Sequence, residues 1–181
     1  MYRDNTLIPA EAVRLAALGS LAEGEKGYGD LAREIRFFVA RIVGPSLDML
    51  GMSLELLRHE GLIAADGEPD PTRMGRDDAT LRITEEGRAA FATLMTSSVR
   101  GLTSDLSRLV IALKMRFLPL LDEGDRHEQA EILAEACETE LARLKDLRSA
   151  YGHDFLAEWL DREIAELTER HAWFKDLDCR V

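Results

Sequence analysis

The sequence predicts a mainly α fold with a small β-wing, and three observations predict it. Apolar residues recur at helical spacing in three segments between residues 9 and 57, separated by glycine-rich breaks. Two short strand-like segments, 62–64 and 80–83, bracket a stretch rich in proline, glycine and charge. From Val99 onward the pattern is helical only. Three helices, a hairpin and a fourth helix in that order make an N-terminal winged helix-turn-helix, here followed by a C-terminal set of long helices. The expected division is residues 1–96 and 97–181.

Each element follows from local chemistry. Pro9 suits the first residue of helix one, whose apolar side is Val13, Leu15, Ala16, Leu18 and Leu21 up to Gly24. After the turn Gly27, Tyr28, Gly29, Asp30 is placed to cap helix two, where Leu31, Ile35, Phe38 and Ile42 recur at spacings of four, three and four. Gly44 and Pro45 break the chain, Ser46 caps helix three, and Leu47, Leu50, Leu54 and Leu57 form its buried stripe up to Gly61. Residues 66–78 (DGEPDPTRMGRDD) form the wing between the strands. Thr84 caps helix four, and Glu85 and Glu86 place carboxylates at the positive end of its dipole.

The second half supplies three more helices. The first carries Leu102, Leu106, Leu109, Leu113 and Phe117 and meets Pro119. Asp125 with Glu128 reads as a capping box for the next, whose stripe is Ala130, Leu133, Cys137, Leu141, Leu144 and Tyr151, closed by Gly152. The last begins near Asp154 with Leu156, Leu160, Ile164, Leu167, His171 and Phe174 on one side. At about 20 residues and about 30 Å each, such helices are few and long, so they are expected to bury faces against a second copy of the chain as well as against each other.

Composition narrows the function classes. With 46% hydrophobic residues in 181, a core is affordable and disorder is excluded. No apolar run reaches the roughly 20 residues that span a bilayer, and the opening MYRDN lacks a secretory apolar segment, so a cytoplasmic protein with no membrane contact is expected. Cys137 and Cys179 have neither metal-ligand nor disulfide-scaffold spacing and read as one buried and one loose thiol. His59, His127, His153 and His171 are scattered without paired ligand spacing, and no phosphate loop, nucleophile elbow or metal signature occurs. No enzyme activity, metal or cofactor is expected. The net charge of −11 is shared by both halves, with 11 basic against 16 acidic residues over 1–95 and 12 against 18 over 96–181. That balance argues against a large non-specific electrostatic grip on nucleic acid and leaves room for a local basic patch.

Projected at 100° per residue, helix three turns Asp48, Met52, Glu55 and His59 away from its leucine stripe, with Met49 and Leu56 on one shoulder and no cation outward. A carboxylate in the major groove meets phosphate repulsion and accepts only from cytosine. This face therefore admits three uses: packing within the fold, DNA contact, or contact with a protein through its methionines and leucine.

In the order LGSLAEG at 18–24, GY at 27–28, LELLRHEGLI at 54–63 and RITEEGR at 82–88, followed by RFLPLL at 116–121 and the late Trp173, the chain resembles the PadR family of bacterial transcriptional regulators over nearly its whole length. The resemblance implies a cytoplasmic homodimer that binds operator DNA, usually as a repressor relieved by a small molecule or a partner. The chain departs from the family where it commonly has an early tyrosine and a following basic residue in helix three; those positions fall at Gly51 and Glu55. The expected DNA contacts are accordingly Arg33 and Arg36 on helix two and Arg73 and Arg76 in the wing, for phosphates, with Ser46, Ser53 and His59 beside them. Tyr151, Trp159, His171, Trp173 and Phe174 are expected to pack a dimer or to wall the pocket of a small apolar effector. The alternative is a winged-helix adaptor that has lost DNA binding and holds a protein partner through helix three.

Overall fold

The computed structural model describes residues 9–44, 50–66, 79–99, 101–102, 104–152 and 154–180, with the backbone alone at 9–10 and 50–53. Its elements run α1 (Pro9–Ala22), β1 (Lys26–Gly27), α2 (Tyr28–Ile42), α3 (Leu50–His59), β2 (Ile63–Asp66), β3 (Thr80–Ile83), α4 (Glu85–Thr96), α5 (Asp105–Phe117), a 3-10 turn (Leu118–Leu120), α6 (Glu123–Ser149) and α7 (Phe155–Asp178). The mainly α class with a small β-wing is what the sequence predicts. Of the expected contacts, Ser46, Arg73 and Arg76 lie outside the described residues, as does the wing between β2 and β3, and so does the side chain of Ser53.

Helix α1 is the hub. Ala12, Leu15, Ala16, Ala17, Leu18 and Leu21 are all buried, and α2, α3, α4, α5 and β3 pack around it. A helix so nearly apolar on every side is stable only when enclosed. Its Gly19 permits the closest approach: an added Cβ would lie 2.3 Å from the buried ring of Phe117, which also meets Phe91 edge-on at 6.0 Å. One core therefore joins the first four helices to α5.

The sheet has the order β1-β3-β2, all antiparallel, with Lys26 opposite Leu81 and Ile63 opposite Ile83. Strand β1 is two residues long and carries no apolar alternation, so nothing in its own sequence announces it. It also corrects the start of helix two. The Tyr28 N–H donates to the Ala79 carbonyl at 3.0 Å, the chain passes straight from strand to helix, and Asp30 sits in the first turn rather than at the cap.

Three boundaries in the second half move for similar reasons. Gly101, in the left-handed region at φ 59°, turns the chain before Ser104 caps α5, so Leu102 precedes the helix and α5 is 13 residues long rather than about 20. Asp122, not Asp125, caps α6, its carboxylate accepting from the Asp125 N–H at 2.9 Å. Helix α6 ends at Ser149, leaving Tyr151 beyond it and exposed.

With 27 and 24 residues, α6 and α7 are about 40 and 36 Å long. Polar pairs show them to be antiparallel: His127 to Asp178 at 3.2 Å, His171 to Glu138 at 3.0 Å, and Arg148 to Asp161 at 2.8 Å. Cys137 is buried between them, and desolvation pushes its thiol up to about 11. Among the described residues no helix is long and apolar enough to cross a membrane, and no cluster could hold a metal ion.

Candidate nucleic-acid interface

Helix α2 buries Leu31, Ala32, Ile35 and Val39 and turns Asp30, Arg33, Arg36, Phe37, Ala40 and Arg41 to the outside. Three arginines and one acid therefore make its outer face basic on a chain of net charge −11. The helix's other acid, Glu34, is drawn to the inner shoulder. There it accepts from Lys26 at 2.6 Å, from Ser20 at 3.0 Å and from Arg116 of α5, which also bonds Glu23 at 2.8 Å. Burial alone would raise the pKa of Glu34, but the hydrogen bonds from Lys26, Arg116 and Ser20 outweigh it and hold the carboxyl below its ordinary value.

A carboxyl whose folded pKa is depressed stabilises the fold above its unfolded value, near 4.5, and the contribution is lost as pH falls through the folded value. Glu34→Gln should therefore melt below the parent protein at pH 6, and the gap should close as the pH falls below 4.5. Thermal denaturation followed by circular dichroism reads this directly, and a gap independent of pH would refute it.

Both expected phosphate contacts of α2 are exposed on this face. Arg33 pairs with Asp30 at 2.7 Å on the exposed face, a contact that screening makes weak and easily exchanged. Arg36 borders a groove of about 570 Å3 with Tyr28, Ala32 and Phe37. Sequence reasoning missed Arg41 and Phe37. The Arg41 guanidinium lies 4.3 Å from the centroid of Phe37, a ring 60% exposed. Both belong to the row Arg33, Phe37, Arg41 at i, i+4, i+8, a spacing visible in the sequence once the helix's inner face is settled.

Helix α3 buries Leu54 and Leu57 and exposes Leu56, Arg58 and His59. The projection left no cation outward here; Arg58 is in fact exposed and lies 3.6 Å from Glu55, offsetting that acid. His59 sits in the last turn. The end of α3 is tied down on both sides: Arg14 of α1 pairs with Glu60, and the Thr84 hydroxyl reaches the Gly61 carbonyl at 2.8 Å and the Leu62 carbonyl at 3.0 Å.

The residues expected at a dimer or effector surface separate into two groups. Tyr151, Trp159 and Trp173 are exposed, with Phe155 and Leu147 beside them in the exposed set. His171 and Phe174 are used within the chain: His171 bonds Glu138, and Phe174 is 1% exposed with Trp173 edge-on at 5.2 Å. Both lie on the apolar stripe of α7, where Leu160 and Leu167 are buried, because α6 packs along that side.

A family model described as an AphA-like transcriptional regulator matches residues 2–178. Solved structures similar to the chain include smu.1604c of Streptococcus mutans, at 17% identity over 90% of this chain and 96% of that one. They also include PadR of Bacillus subtilis in complex with operator DNA, at 14% over 92% and 97%, and the PadR-like regulator BC1756 of Bacillus cereus, at 24% over 92% and 94%. The TM-score is 0.40 in each case. No curated protein matches. The match over almost the entire sequence shows that this chain belongs to the family of AphA-like transcriptional regulators.

Proposed function

We propose that this regulator acts in the cytoplasm as a homodimeric repressor that grips operator DNA chiefly through phosphate contacts from α2. The observation that carries the reading is the outer face of that helix, where Arg33, Arg36 and Arg41 stand exposed while Glu34 is held inward by Lys26 and Arg116. Phosphate binding needs charge at the right place more than it needs a basic protein, so a local basic row serves on an acidic chain. The wing arginines Arg73 and Arg76 and the polar residues Ser46, Ser53 and His59 complete the proposed contact set. The second copy covers the exposed Tyr151, Trp159 and Trp173 of the helical half, which are also the proposed walls for a small apolar effector.

The test is fluorescence anisotropy of the full chain with duplex DNA from its own upstream region, at low and physiological salt, against a scrambled duplex. Selective binding with two chains per duplex is expected. Arg33→Ala and Arg41→Ala should each weaken binding and reduce the slope of log K against log salt by about one. Unchanged slopes in both would remove α2 from the interface. The adaptor reading is favoured by one observation, the 49% exposure of Leu56 on α3 beside the acid Glu55. Absence of DNA binding even at low salt would support it and turn the search to a protein partner.

A further inference from the structure

A second cavity, of about 300 Å3, opens where the DNA-binding half meets the helical half. Its floor is Ala22 of α1, Phe91 and Ala92 of α4, and Leu121; its rim carries Arg88 of α4 on one side and Asp122 and Asp125 of α6 on the other. Leu120, on the 3-10 turn at the same rim, is 43% exposed. Three features set this cleft apart from an ordinary surface depression. The Arg88 guanidinium has no ion-pair partner among the described residues, and neither has the Asp125 carboxylate. Unpaired charges of opposite sign therefore share one rim. The floor between them is apolar and continues into the core through Phe91 and Leu121. The volume is at the lower end of small-molecule sites.

From this geometry we infer that the cleft binds a small zwitterion with an apolar side chain, its carboxylate on Arg88, its ammonium at Asp122 and Asp125, and its side chain on Phe91 and Leu121. An ammonium near the start of α6 faces the positive end of that helix, worth about half a charge, but Asp122, Glu123 and Asp125 outweigh it. A purely anionic ligand would meet those three acids unpaired, and a purely cationic one would leave Arg88 unused. An amino acid with a large apolar side chain satisfies both ends.

The cleft is placed to reach the DNA-binding elements, a consequence that rests on the regulator reading above. Helix α4 is held at both ends. At its start Thr84 bonds the carbonyls of Gly61 and Leu62, just past the end of α3. At its end the Lys114 ammonium bonds the carbonyls of Met95 and Ser97 together with Gln129 of α6. Arg88, Phe91 and Ala92 lie between these anchors, so an occupant wedged against α6 bears on the element that fixes the end of α3.

Isothermal titration calorimetry of the full chain with L-phenylalanine, phenylacetate and phenethylamine tests the site. L-phenylalanine should bind about tenfold or more tighter than either singly charged analogue. Arg88→Gln, a change at an exposed position, should weaken L-phenylalanine and phenylacetate by about tenfold to a hundredfold and leave phenethylamine unchanged. Ala92→Phe, which fills the cleft, should abolish all three. No binding of L-phenylalanine at millimolar concentration, or binding indifferent to Arg88→Gln, overturns the site. Anisotropy with upstream DNA on the same samples keeps the two ideas apart: ligand binding without any DNA binding overturns the regulator reading alone, and DNA binding without ligand binding overturns the cleft alone.

Discussion

Gly87→Ala is expected to destabilise the protein by about 2–3 kcal/mol, lowering its melting temperature by roughly 5–10 °C. Inside a helix the same change ordinarily stabilises by up to about 1 kcal/mol, because alanine loses less backbone freedom. Here the sign reverses. A Cβ at Gly87 would lie 2.0 Å from the Leu62 carbonyl oxygen and 2.8 Å from Cγ1 of Ile83. The Leu62 carbonyl cannot retreat freely, since it accepts from the Thr84 N–H at 3.1 Å and lies 3.0 Å from the Thr84 hydroxyl that caps α4. Relieving the clash means prising α4 from the turn that ends α3, so the DNA affinity proposed above should fall with stability. Gly124→Ala is the control, because its Cβ would meet only an Asp122 carboxylate oxygen at 3.5 Å. Differential scanning calorimetry of both variants decides the matter, and equal melting temperatures would refute the close approach.

Lys114→Ala should cost more, about 4 kcal/mol. The side chain is 0% exposed, so truncation leaves a cavity in the manner of other large-to-small core changes. It also orphans acceptors: the carbonyls of Met95 and Ser97, the latter at 2.7 Å, the Leu94 carbonyl at 3.3 Å and the Gln129 side-chain oxygen at 2.6 Å. Four oxygens and the negative end of α4 surround the ammonium in place of a carboxylate.

Burial pushes Lys114 down to about 7 from an ordinary 10.5. Between those values the unfolded chain binds a proton that the folded chain does not, so this residue makes stability rise with pH across that window. Urea denaturation of the parent protein and of Lys114→Met should show the parent gaining on the variant from pH 7 towards pH 10. A constant difference would mean that the four oxygens hold the ammonium charged throughout.

Much of the fold was legible because its signals are local. Thr84 caps α4 as expected, and α7 begins next to Asp154 as expected, with Asp154 its cap; both side chains accept from the N–H three residues on. Leu54 and Leu57 of α3 and the stripe of α6 up to Leu144 are buried where helical spacing puts them. What escaped is non-local. Strand β1 exists because β3 offers it an edge, and Lys26 and Gly27 carry no pattern of their own. Lys114 reads as one more surface cation at the end of a helix, and only the convergence of α4, α5 and α6 makes it one of the largest fully buried side chains among the described residues.

The proposed interface divides the same way. The exposure of Arg33 and Arg36 could be read from spacing, since a helix whose inner face is known exposes the opposite one. That Arg58 offsets Glu55 on α3 is set by side-chain rotamers and neighbours, which a projection ignores. His171 and Phe174 share their stripe with the buried Leu160 and Leu167, while Trp159 and Trp173 lie off it and are exposed.

The sequence by itself determined the mainly helical class, the order of the helices and of the two wing strands, the acidic character of both halves and the membership in a regulator family, because periodicity, caps and composition act within a few turns of chain. Tertiary structure alone decided that Glu34 is neutralised from α5, leaving a basic row on α2, and that α4 and α6 part around an apolar floor between unpaired charges. Electrostatic pairing and cavities depend on which surfaces meet, and residues 34 and 116, or 88 and 125, become neighbours only when the chain has closed on itself.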